Sequence, residues 1–98
     1  MLKRIVKMHF QAGKENAFLG IFERSKVQIR AFPGCQYLEL VRDRRDPQIF
    51  FTISIWSDEQ SLDTYRHSEL FKKTWRATKA LFAERAQAWS TDRIDSQP

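Results

Sequence analysis

The chain has few of the residues that build disulfide frameworks, metal clusters and phosphate-binding loops. Its 98 residues include one cysteine, Cys35, which excludes an internal disulfide and is typical of a reducing compartment. The three glycines are isolated from one another, so there is no glycine-rich phosphate loop. The two histidines, His9 and His67, are far apart, and no spacing of His, Cys, Asp or Glu resembles a metal site. We therefore predict no bound metal.

Long hydrophobic runs are also missing, so the sequence predicts no membrane span and no membrane partner. The apolar stretch at the N-terminus carries Lys3, Arg4 and Lys7, and this charge is not typical of a signal peptide. Only three prolines and a hydrophobic content of 42% argue against disorder. We expect one soluble, cytoplasmic domain over residues 1–98, with a polar tail from about residue 92.

Basic residues outnumber acidic ones by 17 to 12, which gives a formal net charge of +5. The basic residues are spread along the chain, so a solvated surface is the first interpretation, and an anionic ligand or polyanion is the alternative. An aromatic side chain on an exposed protein surface, such as that of Phe51, can also bind RNA by stacking on its bases. The glycine-aromatic pattern expected around Phe51 is absent, so we predict no nucleic-acid partner.

Hydrophobic periodicity predicts an α+β fold. Apolar and polar residues alternate with a period of two in four segments, residues 3–10, 35–42, 49–56 and 84–92. Helical spacing covers residues 14–31 and 58–67, with Ser57 as the predicted N-cap of the second helix. A further helix begins at Ser68, and its inner face extends to Phe82. This order predicts a ferredoxin-like β-α-β-β-α-β domain with an antiparallel sheet and helices on one face.

The strongest predicted strand, residues 49–56, has apolar side chains on both faces. Its Phe51, Ile53 and Ile55 alternate with Trp56, which we assign to the helix side. A second copy of the chain is the simplest cover for the other face. We therefore predict a homodimer whose interface contains these three residues, together with His9, which faces away from the helices by parity.

Three Trp, eight Phe and two Tyr make the chain rich in aromatics. If the helices lie over the sheet, Phe22, Trp56 and Trp75 converge on one cavity, to which Leu70 also contributes from the last helix. Filling of the core is the alternative interpretation of each ring. Near the break between the last two helices, Tyr65 and His67 are the candidate catalytic residues, each as a base or as a group that orients a substrate.

With this element order, the chain resembles the antibiotic biosynthesis monooxygenase family over residues 2–93. The resemblance is carried by FPGC at residues 32–35, by IWS at residues 55–57 and by SELF at residues 68–71. It implies a dimeric α+β barrel. Members of the family include cofactor-independent oxygenases of polyphenols, haem-degrading monooxygenases, isomerases and proteins without a known activity.

The resemblance also bears on cofactors. The histidine that ligates haem in the haem-degrading members falls at Trp75, which cannot ligate iron, and their pocket asparagine falls near Val6. We therefore predict no cofactor. The predicted function is that of a cofactor-independent monooxygenase acting on a small aromatic substrate. The alternative is a non-catalytic dimeric module that binds a small aromatic or apolar molecule.

Overall fold

Four strands form a single antiparallel sheet in the order β2-β3-β1-β4. The computed structural model covers residues Met1–Pro98. In chain order its elements are β1 (Leu2–Phe10), α1 (Glu15–Arg30), β2 (Cys35–Arg42), β3 (Ile49–Trp56), α2 (Glu59–Arg66), α3 (Glu69–Lys79) and β4 (Phe82–Asp92). This confirms the predicted ferredoxin-like α+β fold, including the break in the second helix near His67.

The helices cover one face of the sheet, called the helix-covered face below. The main core cluster on this face consists of Met8, Phe10, Phe18 and Phe50. The rings of Phe10 and Phe18 stack with centroids 4.3 Å apart. Burial of one such side chain stabilises the fold by roughly 1.5–3 kcal/mol, so this cluster is the main anchor of α1 on the sheet.

A second, smaller core cluster lies at the other end of the sheet and holds α2. It consists of Cys35, Trp56 and Leu62, with Phe32 and Tyr65 packed against it. The two clusters are separated along the sheet rather than merged. The space between them is where a cavity lies.

The cap of α2 differs from the prediction. The N-cap residue is Asp58, whose carboxylate accepts a hydrogen bond from the backbone N–H of Ser61 at 2.7 Å. The hydroxyl of Ser57 instead accepts from the Gln36 side chain and donates to the carbonyl of Gly34. An aspartate one position later satisfies the helix terminus as well as a serine. At α3 the predicted cap is confirmed, because Ser68 accepts from the N–H of Phe71.

The end of α3 also differs from the prediction, which placed Phe82 on the inner face of that helix. The helix ends at Lys79, and Phe82 is the first residue of β4, paired with Phe10. From this strand position its ring still lies 5.5 Å from the ring of Trp75. Phe82 packs in the same core whether it belongs to the helix or to the strand. Hydrophobic spacing alone therefore does not show that the helix has ended before it.

The opposite face of the sheet carries no helix and is called the open face. Pairing aligns Ile53, Ile5 and Trp89 in one row across β3, β1 and β4. Phe51 and Ile55 share this face, as predicted from parity. Ile55 is only 8% exposed in the single chain, because it lies between Lys3 of β1 and Tyr37 of β2, with which it is paired.

His9 also lies on the open face, and its Nδ1 is 3.3 Å from a carboxylate oxygen of Glu84. Large apolar side chains remain exposed on the same face, at 42% for Tyr37, 37% for Val41 and 45% for Trp89. The open face is thus apolar at its centre. None of the helices is long and apolar enough to cross a membrane.

Candidate functional site

A cavity of about 290 Å³ lies between the helices and the helix-covered face of the sheet. Three of its walls come from residues that the sequence placed together, namely Phe22 of α1, Trp56 of β3 and Trp75 of α3. The remaining lining residues are Arg4, Val6, Met8, Phe18, Ile21, Ser25, Ile29, Leu38, Thr52, Ser54, Leu62, Tyr65, Arg66, Phe71, Thr74, Thr78, Ala86 and Ala88. The volume is at the lower end of the range of about 300–1,000 Å³ for small-molecule sites.

Four aromatic rings form a continuous wall along one side of the cavity. Trp56 stacks on Tyr65 with centroids 5.0 Å apart and an interplanar angle of 27°. Tyr65 meets the edge of Phe71 at 5.2 Å, and Phe71 stacks on Trp75 at 5.8 Å and 13°. Aromatic pairs at such separations stabilise one another, so the wall is held in place before any ligand arrives.

Trp56 belongs both to the core and to the cavity wall. Its side chain is 1% exposed, and its indole N–H donates to the hydroxyl of Ser54 at 3.0 Å. A buried indole requires such a partner. The fixed ring therefore borders the cavity with almost no accessible surface of its own, and its polar N–H is already satisfied.

Tyr65 brings a phenol to the cavity without a hydrogen-bond partner of its own in the chain. Burial raises the pKa of Tyr65 well above its usual value, and the nearby Cys35 thiol raises it further. The phenol therefore stays protonated at neutral pH and can donate to an acceptor on a ligand. It is suited to orienting a ligand and not to removing a proton from one.

Apart from the hydroxyl of Ser54, which accepts from Trp56, the other hydroxyl groups of the cavity fall into two sets. Those of Ser25 and Thr78 each donate at 2.8 Å to a carbonyl of their own helix, one turn earlier. Those of Thr52 and Thr74 line the cavity without forming a hydrogen bond within the chain. Together with Tyr65, these two threonines offer neutral hydroxyl groups to a ligand, and the indole N–H of Trp75 also has no hydrogen-bond partner in the chain.

The structure does not bring every predicted site residue to the cavity. Leu70 is half-buried outside it, and the next residue, Phe71, takes the place on the wall. His67 is exposed, and its Nδ1 lies 2.8 Å from the carbonyl oxygen of Asp63 on its own helix. The imidazole is thus held against the end of α2, away from the cavity.

The two charged residues of the cavity, Arg4 and Arg66, were missed at the sequence level. Arg4 has the same strand parity as Val6 and Met8, so alternation places it on the helix-covered face. A charged residue at an inward-facing strand position is unusual, so the alternation pattern already indicated a functional role for Arg4. Arg66 follows Leu62 by one helical turn, which also indicates an inward position.

The chain has no group of three or more His, Cys, Asp or Glu side chains arranged to hold a metal ion. The site is instead aromatic, with hydroxyl and guanidinium groups at its edges. Comparison with known proteins identifies the family of this chain. Residues 1–77 match the family model described as antibiotic biosynthesis monooxygenase. The chain belongs to that family.

Solved structures extend the likeness over nearly the whole chain of this family member. A crystal structure of an antibiotic biosynthesis monooxygenase is 23% identical, with a TM-score of 0.90 over 97% of this chain and 100% of the other. A Pseudomonas aeruginosa protein is 24% identical, with a TM-score of 0.85 over 96% and 94%. A mutant of SnoaB, a cofactor-independent oxygenase from Streptomyces nogalater, is 18% identical, with a TM-score of 0.88 over 99% and 96%.

At these identities the structures show that the fold is shared. No curated protein matches this chain in sequence. The activity must therefore be argued from the cavity itself.

Proposed function

We propose that this chain is a monooxygenase that uses O2, needs no bound cofactor, and acts on a small planar aromatic substrate. The observation that carries the proposal is the aromatic wall of the cavity, formed by Trp56, Tyr65, Phe71 and Trp75. In this proposal a flat ring lies between this wall and Phe22 on α1, which lines the same cavity. The family and the SnoaB fold support the reaction class, and the cavity supports the substrate class.

The chemistry of such a reaction lies mainly in the substrate. An electron-rich phenol or enol loses a proton, and the resulting anion transfers electrons to O2 and forms a carbon–oxygen bond. When the attacked carbon is a ring CH2 group, the hydroperoxide loses water and leaves a carbonyl. The balance is one CH2 and one O2 giving one C=O and one H2O, so no external reductant is needed.

The protein contributes binding, orientation and exclusion of water. The aromatic wall packs against the substrate, and the phenol of Tyr65 donates a hydrogen bond to a substrate oxygen. No cavity side chain is a base at neutral pH, because the only ionisable groups there are two arginines and a phenol with a raised pKa. The substrate therefore loses its proton to bulk solvent before it enters the cavity, and it binds as the anion. His67 has no part in this scheme, since it lies outside the cavity.

A test must separate oxygenation from mere binding. Oxygen uptake is measured with a panel of naphthols, anthrones and hydroquinones, and 18O2 labelling shows whether one oxygen atom enters the product. Ala88→Phe fills the cavity from β4, while Ala83→Phe makes the same change on an exposed part of that strand outside the cavity. We expect Ala88→Phe to lose uptake and Ala83→Phe to retain it.

The alternative function is a non-catalytic binding module with the same cavity. The absence of a base among the lining residues is the observation that favours it. In that case phenolic ligands bind to the native protein and not to Ala88→Phe, and no member of the panel causes oxygen uptake above the buffer rate. That result would reject the oxygenase proposal and keep the site.

We also propose that two copies of the chain pack through their open faces. Trp89, Tyr37 and Val41 are exposed there around the row of Ile5 and Ile53. An apolar patch of this kind, central on a sheet that has helices only on its other side, supports a symmetric partner. Trp89 extends the interface that the sequence placed at His9, Phe51, Ile53 and Ile55.

A further inference from the structure

The charge of the cavity is of one sign. Among its lining residues, the only side chains that carry a charge at neutral pH are Arg4 and Arg66, and no Asp, Glu or His reaches it. Apolar cavities tolerate charge poorly, because removal from water raises the free energy of an ion. Two cations with no anionic side chain beside them in a mainly apolar cavity, one of them half-buried, therefore indicate a ligand of opposite charge.

Arg4 is the more confined of the two. It lies half-buried on the central strand β1, and its only side-chain hydrogen bond is donated by Nη1 to the hydroxyl of Ser90, at 2.8 Å. A guanidinium has five N–H donors, so most of them have no acceptor in the chain. Neither Arg4 nor Arg66 forms a salt bridge.

The electrostatic surroundings of Arg4 agree with this geometry. Burial lowers the pKa of Arg4, the positive charge of Arg66 lowers it further, and Asp63 opposes these effects in part. Asp63 is exposed on α2 and does not line the cavity. The guanidinium remains protonated, since its ordinary pKa is far above neutral. An anion in the cavity would offset both burial and the repulsion between the two arginines.

We propose that the ligand is an aromatic anion, whose ring lies against the aromatic wall and whose oxyanion binds Arg4, with Arg66 at the cavity mouth. This assignment rests on the cavity being the ligand site, as in the proposed function. A carboxylate or a phenolate supplies the same chemistry, because both present oxygens that a guanidinium fork can bind at two points. Arg66 is exposed, so in this proposal it attracts the anionic ligand as a second positive charge beside Arg4.

The experiment compares two ligands of nearly identical shape. 1-Naphthoate carries a charge and 1-naphthamide does not, and calorimetric titration gives both dissociation constants. We expect naphthoate to bind the native protein about tenfold more tightly or better, which corresponds to about 1.4 kcal/mol. 4-Nitrophenol, titrated on both sides of its own ionisation, tells whether a phenolate is bound as well as a carboxylate.

Variants assign the preference to a residue. Arg4→Gln should reduce the preference for naphthoate to about twofold or less and leave the affinity for naphthamide unchanged. Ser90→Ala removes the hydrogen-bond partner of Arg4 without removing the charge, and should keep the preference. Arg24→Gln, an exposed arginine of α1 outside the cavity, controls for net charge. Circular dichroism of each variant verifies folding.

The outcomes separate this inference from the proposed function. Equal affinity for naphthoate and naphthamide in the native protein would overturn the anion assignment while the cavity stays a ligand site. A preference that survives Arg4→Gln would overturn the role of Arg4. If neither ligand binds to the native protein and Ala88→Phe changes nothing, the cavity is not a ligand site and both proposals fail.

Discussion

Trp56 and Tyr65 stack face to face, with ring centroids 5.0 Å apart, one ring from the end of β3 and the other from the last turn of α2. The indole N–H is bound to Ser54, whereas the phenol has no partner in the chain. In this pair, Trp56 has a structural role, whereas Tyr65 also has a free hydroxyl group. The stack of the two rings fixes α2 to the sheet, and the phenol of Tyr65 offers a hydrogen-bond donor to the cavity.

The first prediction separates these two roles at Tyr65. Tyr65→Phe keeps the ring and removes a hydroxyl without a partner, so the free energy of unfolding should change by less than about 1 kcal/mol. Affinity for an oxygen-bearing aromatic ligand should fall several-fold. Tyr65→Ala loses the stack as well and should cost about 2 kcal/mol or more of stability. Urea unfolding and calorimetry measure both; equal destabilisation by the two variants would contradict the assignment.

The second prediction concerns Gly34, which precedes β2 at a φ of +89°. A Cβ at this position would overlap the side chain of Ser61 on α2, whereas the same atom at Gly13, at a φ of +87°, meets open space. Gly13→Ala should therefore cost only backbone strain, about 1 kcal/mol, and Gly34→Ala clearly more. Thermal unfolding of both variants tests the difference. A smaller loss for Gly34→Ala would show that α2 moves freely away.

The third prediction is the oligomeric state. Ile53 lies at the centre of the open face, so Ile53→Asp places a charge in the proposed contact and desolvation opposes assembly. The native protein should sediment near twice 11.7 kDa and the variant as a monomer or an aggregate. Val27→Asp, at an exposed apolar position of α1, should remain dimeric. A native protein that is monomeric at tens of micromolar would reject the interface.

The fourth prediction is a contribution of Asp43 to stability that depends on pH. Its carboxylate accepts the backbone N–H groups of Asp46 at 2.7 Å and Arg45 at 3.0 Å, and these hydrogen bonds lower the pKa of Asp43. A lowered folded-state pKa stabilises the fold above the unfolded value of about 3.9, and the effect is lost as the pH falls through the folded value.

The measurement is urea unfolding of the native chain and of Asp43→Asn at pH 7 and near pH 2. The native chain should be the more stable at pH 7, and the difference should shrink toward zero in acid. Asp95→Asn, in the C-terminal tail, is the control and should show no difference at either pH. A gap that persists in acid would mean that the charge is not its source.

Strand positions were predictable because alternation is a local property of the sequence. The ends of β2 and β3 are Cys35–Arg42 and Ile49–Trp56, as predicted, and both faces were assigned correctly. Helix caps were harder to predict from the sequence, because two neighbouring polar residues can each cap the helix and tertiary contacts decide between them. The hydroxyl of Ser57 forms hydrogen bonds with Gln36 and Gly34 instead, and the local sequence pattern does not show these contacts.

The candidate site was predictable only in part. The convergence of Phe22, Trp56 and Trp75 followed from the topology. Whether space remains between them depends on how far α3 lies from the sheet, which periodicity does not contain. The choice of Phe71 over Leu70 depends on a small rotation of that helix.

The central position of β1 also determines when the site can exist during synthesis. β1 pairs with β3 and β4, so during synthesis it has no sheet partner until residues 49–56 have emerged. The cavity needs Arg4 and Val6 from one end of the chain and Ala86 and Ala88 from the other. A nascent chain that stalls before β4 therefore has the buried core residues and most of the lining residues, but it lacks the part of the cavity that Ala86 and Ala88 supply. Any ligand that stabilises the native state acts only after translation has passed the last strand.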